Sequence, residues 1–147
     1  MGNIKGKVFL FFVGLVTACQ PVSSPPETGE ESEPRFVGIR WQWQGSYYNN
    51  DTRIKPDKPR NYTILFTPNG DVRIKADCNQ VGGRYQADNH RLVIELLQTT
   101  LAACPSESRD DEFKKDLSAV QRYLFDKGEL ILELKYDTGG MRFSPAD

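Results

Sequence analysis

Three cysteines and one histidine carry the most reactive side chains in this 147-residue sequence. Cys19 follows an apolar run, whereas Cys78 and Cys104 lie much further along the chain. His90 lies in the polar stretch ADNHR, which is typical of a surface turn between strands. A catalytic triad would need this histidine beside a nucleophile, and two cysteines with one distant histidine are too few ligands for zinc. We therefore expect no catalytic residue, no bound metal and no cofactor.

Cys19 lies at the end of a predicted secretion signal. Two lysines precede the apolar run VFLFFVGLV at positions 8–16, and two small residues follow it. As a helix this run spans only about 14 Å, which is too short to cross a hydrocarbon core of about 30 Å. The residues VTAC at 16–19 resemble a bacterial lipobox, which implies cleavage before Cys19 and attachment of lipid to its sulfur. The alternative is an ordinary secretory signal with a chance cysteine.

The stretch after Cys19 predicts a flexible tether. Residues 20–34 read QPVSSPPETGEESEP, with four prolines, four glutamates and no aromatic residue. Such a segment buries too little apolar surface to offset its ordering entropy. We therefore expect a lipoprotein signal peptide at 1–18, a disordered acidic tether at 19–34 and one globular domain at 35–147. The lipid would anchor that domain in the cell envelope, on the outer side of the cytoplasmic membrane or in the outer membrane facing the periplasm.

The charge balance of the chain argues against a dedicated nucleic-acid-binding protein. The 19 basic and 20 acidic residues nearly cancel, whereas nucleic-acid binders usually carry a clear basic excess. About 113 residues remain for the domain, which is enough to bury one core without a metal. We expect a monomer that contacts the membrane through its lipid anchor, binds no nucleic acid and has a protein partner that the sequence does not identify.

Most of the domain alternates apolar and polar residues with a period of two, which is typical of β-strands. Trp41 and Trp43 share one face of the first such segment, and Asn69-Gly70 marks a hairpin turn further on. Strands are predicted around Trp41 and at 62–66, 72–76, 83–86, 92–97, 129–134 and 141–143, with a turn at 137–140. The pattern favours a mainly β, α+β domain, namely a small antiparallel barrel-like fold of seven or eight strands.

One amphipathic helix completes the predicted fold and would cover an open end or face of the barrel. Phe113, Leu117, Val120 and Leu124 form a single apolar stripe, and Lys127-Gly128 would end the helix. Core packing is the simpler explanation of this stripe, and a partner-binding face is the alternative.

Two segments of the domain are unusually specific: DCNQVGGRY at 77–85 and TTLAACP at 99–105. Together with a tryptophan upstream and the helix downstream, they resemble the META domain, a family that includes HslJ-type heat-shock lipoproteins. The residues that carry the resemblance are Trp41, Cys78, Asn79, Gly83, Tyr85, Thr100, Ala103, Cys104, Phe113 and Leu117. Asp77 departs from the pattern, because the family often has glycine there. The resemblance implies a mainly antiparallel barrel-like fold with one helix, a cell-envelope location and no established enzymatic activity.

Cys78 and Cys104 remain as an even pair once Cys19 carries lipid. In an exported domain such a pair favours a disulfide, which would close a loop of about 27 residues and add roughly 3 kcal/mol in the chain-entropy model. Two buried free thiols that pack side by side are the alternative.

Three further motif positions are open to a structural or a functional interpretation. Asn79 is expected in a turn, where its side chain bonds nearby backbone, and Tyr85 is expected to pack inward with its hydroxyl satisfied. Gly82 and Gly83 permit a bulge or a close backbone approach. A ligand site lined by Asn79 and Tyr85 is the functional alternative.

A cluster of cations lies at residues 53–60, where Arg53, Lys55, Lys58 and Arg60 are opposed by one acid. The prolines in this segment indicate a loop. Such a loop could contact anionic lipid headgroups, which attract basic residues near the membrane surface. A merely solvated loop is the alternative.

The sequence therefore favours a non-enzymatic cell-envelope lipoprotein with a META-like domain that acts as a structural, stress-related or binding module. One alternative is a carrier of a small apolar ligand. Against it, large side chains that are expected to point into the barrel predict a filled interior, among them Trp41, Trp43, Phe66 and Phe113. Another alternative is an inhibitor of an envelope enzyme. A deep apolar pocket would favour the carrier, and a protruding ordered loop would favour the inhibitor.

Overall fold

The computed structural model describes Gly2 and residues 33–146, which contain nine β-strands and one α-helix. The strands are β1 (Arg40–Tyr48), β2 (Arg53–Ile54), β3 (Tyr62–Phe66), β4 (Asp71–Ala76), β5 (Asn79–Asp88), β6 (Arg91–Thr99), β7 (Val120–Asp126), β8 (Glu129–Leu134) and β9 (Gly139–Pro145). The helix α1 spans Asp110–Ser118, and short 3₁₀ helices lie at Pro59–Asn61 and Lys135–Asp137. Apart from Gly2, the predicted signal peptide, Cys19 and the tether up to residue 32 lie outside the described residues. Within that described part, no helix has the length and hydrophobicity that a membrane span requires.

Eight of these strands close into an antiparallel barrel. The order is β1, β3, β4, β5, β6, β7, β8, β9, and β9 pairs back with β1. β2 is an additional short strand that pairs with the end of β1. The seam between β6 and β7 is the shortest of the described pairings, since a single residue pair, Arg91 with Arg122, joins the two strands. The structure confirms the predicted antiparallel barrel with one helix, and it adds β2 and β7, which the sequence pattern does not predict as strands.

The barrel has two different ends. At the hairpin end, short turns at 67–70, 89–90 and 127–128 join consecutive strands. The helix end contains the β4–β5 turn at 77–78, the loop 100–109 and α1. Phe36 closes the hairpin end, where its ring centroid lies 4.6–5.8 Å from those of Phe66, Tyr123 and Tyr85. Residues 33–36 therefore join the barrel at the hairpin end.

Large apolar side chains fill the space between the two ends. Trp41 and Trp43 both point inward and are buried, as their spacing predicts. Phe113 and Leu117 of α1 close the helix end, and the Phe113 ring lies 4.9 Å from that of Trp43. The other large, fully buried side chains are Phe36, Phe66, Phe143, Ile64, Ile74, Leu92, Leu130 and Leu132. The interior of the described barrel is thus a packed core.

The helix is shorter than the apolar stripe predicts, and this part of the sequence interpretation is wrong. α1 ends at Ser118, whereas Val120 and Leu124 belong to β7. Val120 pairs with Leu134 of β8, so the β-branched and aromatic residues that follow the helix extend the sheet. The residues at 127–128 form a two-residue hairpin turn with φ angles of 51° and 87°, not a helix stop.

Candidate functional site

The helix end brings the start of the first motif segment next to the second segment. Cys78 lies in the turn after β4, and Cys104 lies in the loop 100–109. A disulfide joins them, with their Cα atoms 5.5 Å apart, so the predicted disulfide is confirmed. The bond ties the β4–β5 turn to the loop that leads into α1.

Asn79 holds the same loop through both atoms of its amide. Its Oδ1 accepts hydrogen bonds of 2.9 Å from the Thr100 hydroxyl and from the Ala102 N–H. Its Nδ2 donates to Asp110 Oδ2 at 3.0 Å and to the Ala102 carbonyl at 3.4 Å. Asn79 is buried as the first residue of β5, so it does not lie in the turn itself, and its partners are more than 20 positions away. Because both amide atoms are already satisfied, the contacts of Asn79 indicate a structural role and not a ligand site.

An ion pair in the first turn of α1 extends this network. Lys114 Nζ lies 2.8 Å from Asp110 Oδ2 and 3.2 Å from Asp111 Oδ1. Burial acts to raise the pKa of the Asp110 carboxyl, but hydrogen bonds from Lys114 and Asn79 outweigh burial and hold that pKa below its ordinary value. The Asn79 amide therefore donates to an ionised carboxylate, which makes the hydrogen bond stronger than one between neutral groups.

Tyr62 holds the other end of the loop. Its hydroxyl accepts a hydrogen bond of 2.8 Å from the Arg109 N–H and lies 3.3 Å from the Ser108 hydroxyl. Leu101 lies between two residues that Asn79 holds, yet its side chain is 91% exposed. A loop fixed at both ends thus presents an apolar side chain to solvent.

The turn before the disulfide explains the departure of this chain from the family pattern. Asp77 has a φ of 55°, which is a left-handed conformation that glycine adopts without steric cost. The Asp77 carboxylate accepts a hydrogen bond of 3.0 Å from Asn61 Nδ2, and its N–H donates to the Asn61 carbonyl at 2.8 Å. These hydrogen bonds offset part of the backbone strain that a non-glycine residue carries at this position.

Sequence reasoning missed a buried carboxylate at the helix end. Asp116 of α1 is 4% exposed and accepts 2.7 Å hydrogen bonds from the hydroxyls of Ser46 and Tyr48. Burial raises the pKa of the Tyr48 phenol well above its usual range, and the Asp116 carboxylate raises it further. A signal was present in the sequence, because residue 116 follows Phe113 by three positions and so lies on the same, buried face of the helix. The three groups tie α1 to β1.

The glycine pair in the first motif forms the expected bulge. Gly82 pairs with Gln98, whereas Gly83 pairs with Leu96, so Leu97 is the extra residue of β6. A Cβ atom at Gly83 would clash with the backbone carbonyl of Glu95. The glycine permits close approach of β5 and β6.

The other motif residues are placed by packing or by hydrogen bonds of the backbone. Trp41 Nε1 donates to the Phe36 carbonyl at 2.9 Å, and the Tyr85 hydroxyl donates to the Thr67 carbonyl at 2.9 Å. Tyr85 lies towards the hairpin end, away from Asn79, so the structure does not bring these two residues into one ligand site. Ala103 is exposed in the loop beside the disulfide.

The four cations at 53–60 do not form one patch. All four are exposed, and none makes an ion pair with another described residue. Arg53 and Lys55 line a groove with Arg142, whose guanidinium is already paired with two acids of the β7–β8 hairpin. Lys58 lines a separate concavity, whose acidic members are Asp57, Asp77 and Glu107. Contact of this loop with headgroups stays a prediction.

His90 lies far from the buried carboxylate. It forms the turn between β5 and β6 with Asn89, and its imidazole stacks on Tyr123 with ring centroids 5.6 Å apart. This turn is at the hairpin end, whereas the Ser46–Asp116 hydrogen bond is at the helix end. Since His90 is the single histidine of the sequence, the described residues contain no Ser-His-acid arrangement. They also contain no group of three or more His, Cys, Asp or Glu side chains placed to hold a metal ion.

The fold is similar to solved structures of low sequence identity. An NMR structure of a protein from Burkholderia xenovorans matches with a TM-score of 0.64 and 14% identity, over 76% of this chain and 83% of that one. A crystal structure of a DUF4847 family protein from Bacteroides vulgatus matches with a TM-score of 0.56 and 21% identity, over 77% of this chain and 97% of that one. At these identities the likeness concerns the fold alone. Comparison with curated proteins found no match.

A model of the META domain family matches residues 37–146, which include every described strand and the helix. The match spans both motif segments, the disulfide and the loop that Asn79 holds. The chain therefore belongs to the META domain family.

Proposed function

We propose that the protein is a lipid-anchored, non-enzymatic protein of the cell envelope whose META domain serves as a binding module. The observation that carries the proposal is the packed interior of the barrel, which is filled from Phe36 at one end to Phe113 at the other. A barrel without interior space leaves its outer surface and loops for contact with other molecules. The lipobox-like residues before Cys19 support the anchor.

The chemistry of the described residues supports a non-enzymatic role. Cys78 and Cys104 are joined in a disulfide, so neither thiol is available as a nucleophile. The buried carboxylate of Asp116 accepts hydrogen bonds from two hydroxyls. The imidazole of His90 lies at the opposite end of the barrel, so it does not form a triad with these groups. The META domain is not a known enzyme family.

An inhibitor of an envelope enzyme is the second candidate, and the loop 100–109 favours it. Rigid loops that present one exposed side chain bind with little loss of conformational entropy, because they are already ordered. A carrier of a small apolar ligand is less well supported, since the ligand would need the space that core side chains occupy.

The anchor is tested by mass spectrometry of the mature protein from its native envelope. The expected wild-type chain begins at Cys19 and carries lipid, whereas Cys19→Ala leaves the chain without lipid and unprocessed at this site. Thr17→Ala keeps a small residue before the cysteine and is the matched control, with normal processing expected. An unmodified N-terminus at another residue would contradict the anchor.

The binding role is tested by crosslinking intact envelopes, purifying the tagged chain and identifying its partners by mass spectrometry. The expected result is a protein enriched over a control preparation that carries an untagged chain. A stoichiometric small apolar molecule in the purified domain would contradict the proposed role and favour the carrier.

A further inference from the structure

We propose that the clamped loop, residues 100–109, is the surface that binds a protein partner, with Leu101 as the side chain that enters an apolar pocket rimmed by basic groups. This inference rests on the proposed function as a binding module and names the surface and the chemistry of its partner.

Leu101 is the most exposed large apolar side chain of the described residues, at 91%. Burial of a leucine side chain removes apolar surface from water, which corresponds to about a 10- to 100-fold gain in affinity when the pocket fits. Leu97, the extra residue of the β6 bulge, is 57% exposed on the strand that leads into the loop. A partner that covers the loop therefore has a second apolar residue within the same stretch of chain.

The loop is ordered before any partner arrives. The residues on both sides of Leu101 hydrogen-bond to the buried Asn79 amide, and three positions later the disulfide fixes Cys104. Arg109, at the other end of the loop, is held by the Tyr62 hydroxyl. A partner therefore does not have to order this backbone, which is the main entropic cost for a flexible loop.

Acidic side chains line one side of the loop, next to Pro105 and Glu107, and define the charge of a complementary partner there. Asp57, Asp77 and Glu107 line a concavity beside Pro105, in which Lys58 is the one cation. None of these three acids forms an ion pair with a described residue. Charge complementarity at the rim of an interface then calls for a basic surface on the partner.

The position of the loop keeps it accessible in an anchored protein. Residues 33–36 join the barrel at the hairpin end, whereas the loop lies at the helix end. The nine residues of β1 run between the two ends, a path of roughly 30 Å along the strand. The loop therefore lies on the side of the domain opposite the attachment of the tether.

The test places a photo-crosslinking amino acid at position 101 in the full-length chain and irradiates isolated native envelopes. Tyr136 is the matched control position, because it is 89% exposed and also lies at the helix end. The expected result is a single strong adduct from position 101 that position 136 does not form.

Competition then shows whether the adduct reports a specific pocket. The competitor is the purified chain from Gln20 onwards, which retains every described strand, the helix and the disulfide. Wild-type competitor should suppress the adduct, whereas Leu101→Ala competitor should need an approximately 10- to 100-fold higher concentration. Tyr136→Ala competitor should act as the wild type does. Both side chains are exposed, so both variants should keep the wild-type Tm.

The charge of the rim is tested with a competitor that carries Asp57→Asn and Glu107→Gln. This variant should compete less well than the wild type. The concentration needed for competition should also depend less on salt, because salt screens the attraction between charges at the rim of an interface. Competition that is independent of salt would overturn the basic rim.

Two outcomes overturn the inference itself: labelling at 101 no stronger than at 136, or equal competition by wild-type and Leu101→Ala chains. Failure of the proposed function is distinguishable from these outcomes. Specific labelling at position 101 in a chain that carries no lipid would contradict the proposed lipid anchor and support the loop as the binding surface. A lipidated chain without specific labelling at 101 would contradict the loop surface alone.

Discussion

The two ends of the barrel are built in different ways. At the hairpin end, each turn joins neighbouring strands and needs only two to four residues in suitable conformations, as at 89–90 and 127–128. At the helix end, the contacts join residues far apart in sequence: Ser46 lies 70 positions from Asp116, and Asn79 lies 31 positions from Asp110. Local turns can form from neighbouring residues, whereas the helix end needs most of the barrel in place.

The same difference separates the end where the chain enters the domain from the end that carries the proposed binding loop. The chain enters the domain at the hairpin end, where Phe36 closes the core. The disulfide, the Asn79 network and the exposed Leu101 are at the helix end. The long-range contacts there hold a loop in place, and variants that weaken them should cost more stability than variants of a hairpin turn.

The largest expected effect comes from the disulfide at the helix end. Cys78→Ala and Cys104→Ala should each lower the free energy of unfolding by about 3 kcal/mol, which corresponds to a fall of roughly 10 °C in Tm. The reason is that each variant opens the loop between two cysteines that are 26 positions apart. The double variant should be no less stable than either single one, because one bond is lost in each case. Thermal unfolding measures both values. Two free thiols at 78 and 104 in wild-type protein unfolded without reductant would contradict the bond.

The next effect concerns the amide that clamps the loop. Asn79→Asp keeps the shape of the side chain but removes its donor and places a second carboxylate near Asp110, which should cost about 2–3 kcal/mol at pH 7. Asn50→Asp is the control, because Asn50 is exposed and accepts from the Thr52 N–H through an oxygen that aspartate retains. That change should stay within about 0.5 kcal/mol. Chemical denaturation at pH 7 gives both values.

The pH dependence of the same variant sharpens the prediction. The folded-state pKa of Asp110 is lower than its ordinary value, so its contribution to stability is present above about pH 4 and is lost as pH falls through the folded pKa. In Asn79→Asp the two carboxylates repel, and protonation of one relieves the repulsion. The stability difference from wild type should therefore shrink between pH 7 and pH 4. A difference that stays constant over this range would show that packing, not charge, causes the loss.

A smaller effect tests backbone strain at both ends of the barrel. Asp77→Ala should be less stable than Asp77→Gly by about 1 kcal/mol, because both lose the hydrogen bond to Asn61 and only glycine relaxes at a φ of 55°. Gly128→Ala is the counterpart at the hairpin end, where φ is 87° and no atom lies near an added Cβ. It should cost about 1 kcal/mol from conformation alone. Equal stability of Asp77→Ala and Asp77→Gly would mean that the turn relaxes.

The last expected effect, on membrane binding and not on stability, concerns the cations near β2. If they contact headgroups, the chain from Gln20 onwards should bind anionic vesicles weakly at low salt, and Arg53→Gln with Lys55→Gln should reduce binding by about fivefold per cation. The pair Lys58→Gln and Arg60→Gln is the matched control with a smaller expected loss, because Lys58 lines the acidic concavity. Vesicle co-sedimentation at increasing salt measures the effect. Absence of low-salt binding by the wild type would leave these residues as solvated surface and the helix end free for a protein.

Local pattern in the sequence predicts the strands and turns that depend on neighbouring residues. The alternation at 62–66 and 72–76 predicts two strands, and Asn69-Gly70 predicts the turn between them, because side-chain direction and turn conformation depend on short stretches of chain. The spacing of Trp41 and Trp43 likewise predicts a buried face. Two cysteines in a domain that the sequence predicts to be exported predict the disulfide. At the candidate site, the sequence therefore predicts the disulfide between residues 78 and 104. It does not predict the ordered loop that this disulfide helps to hold.

Tertiary structure alone decided where the helix ends and what the polar motif residues do. The stripe from Phe113 to Leu124 predicts a helix that continues to Leu124. The chain leaves the helix at Ser118 because Val120 gains a strand partner in β8 that no local pattern shows. The type of Asn79 would suit an exposed position equally well, and the spacing from Phe113 places Asp116 on the buried face of the helix without showing what it bonds. Their burial depends on hydrogen-bond partners 20 to 70 positions away, and only the closed barrel brings those partners within reach.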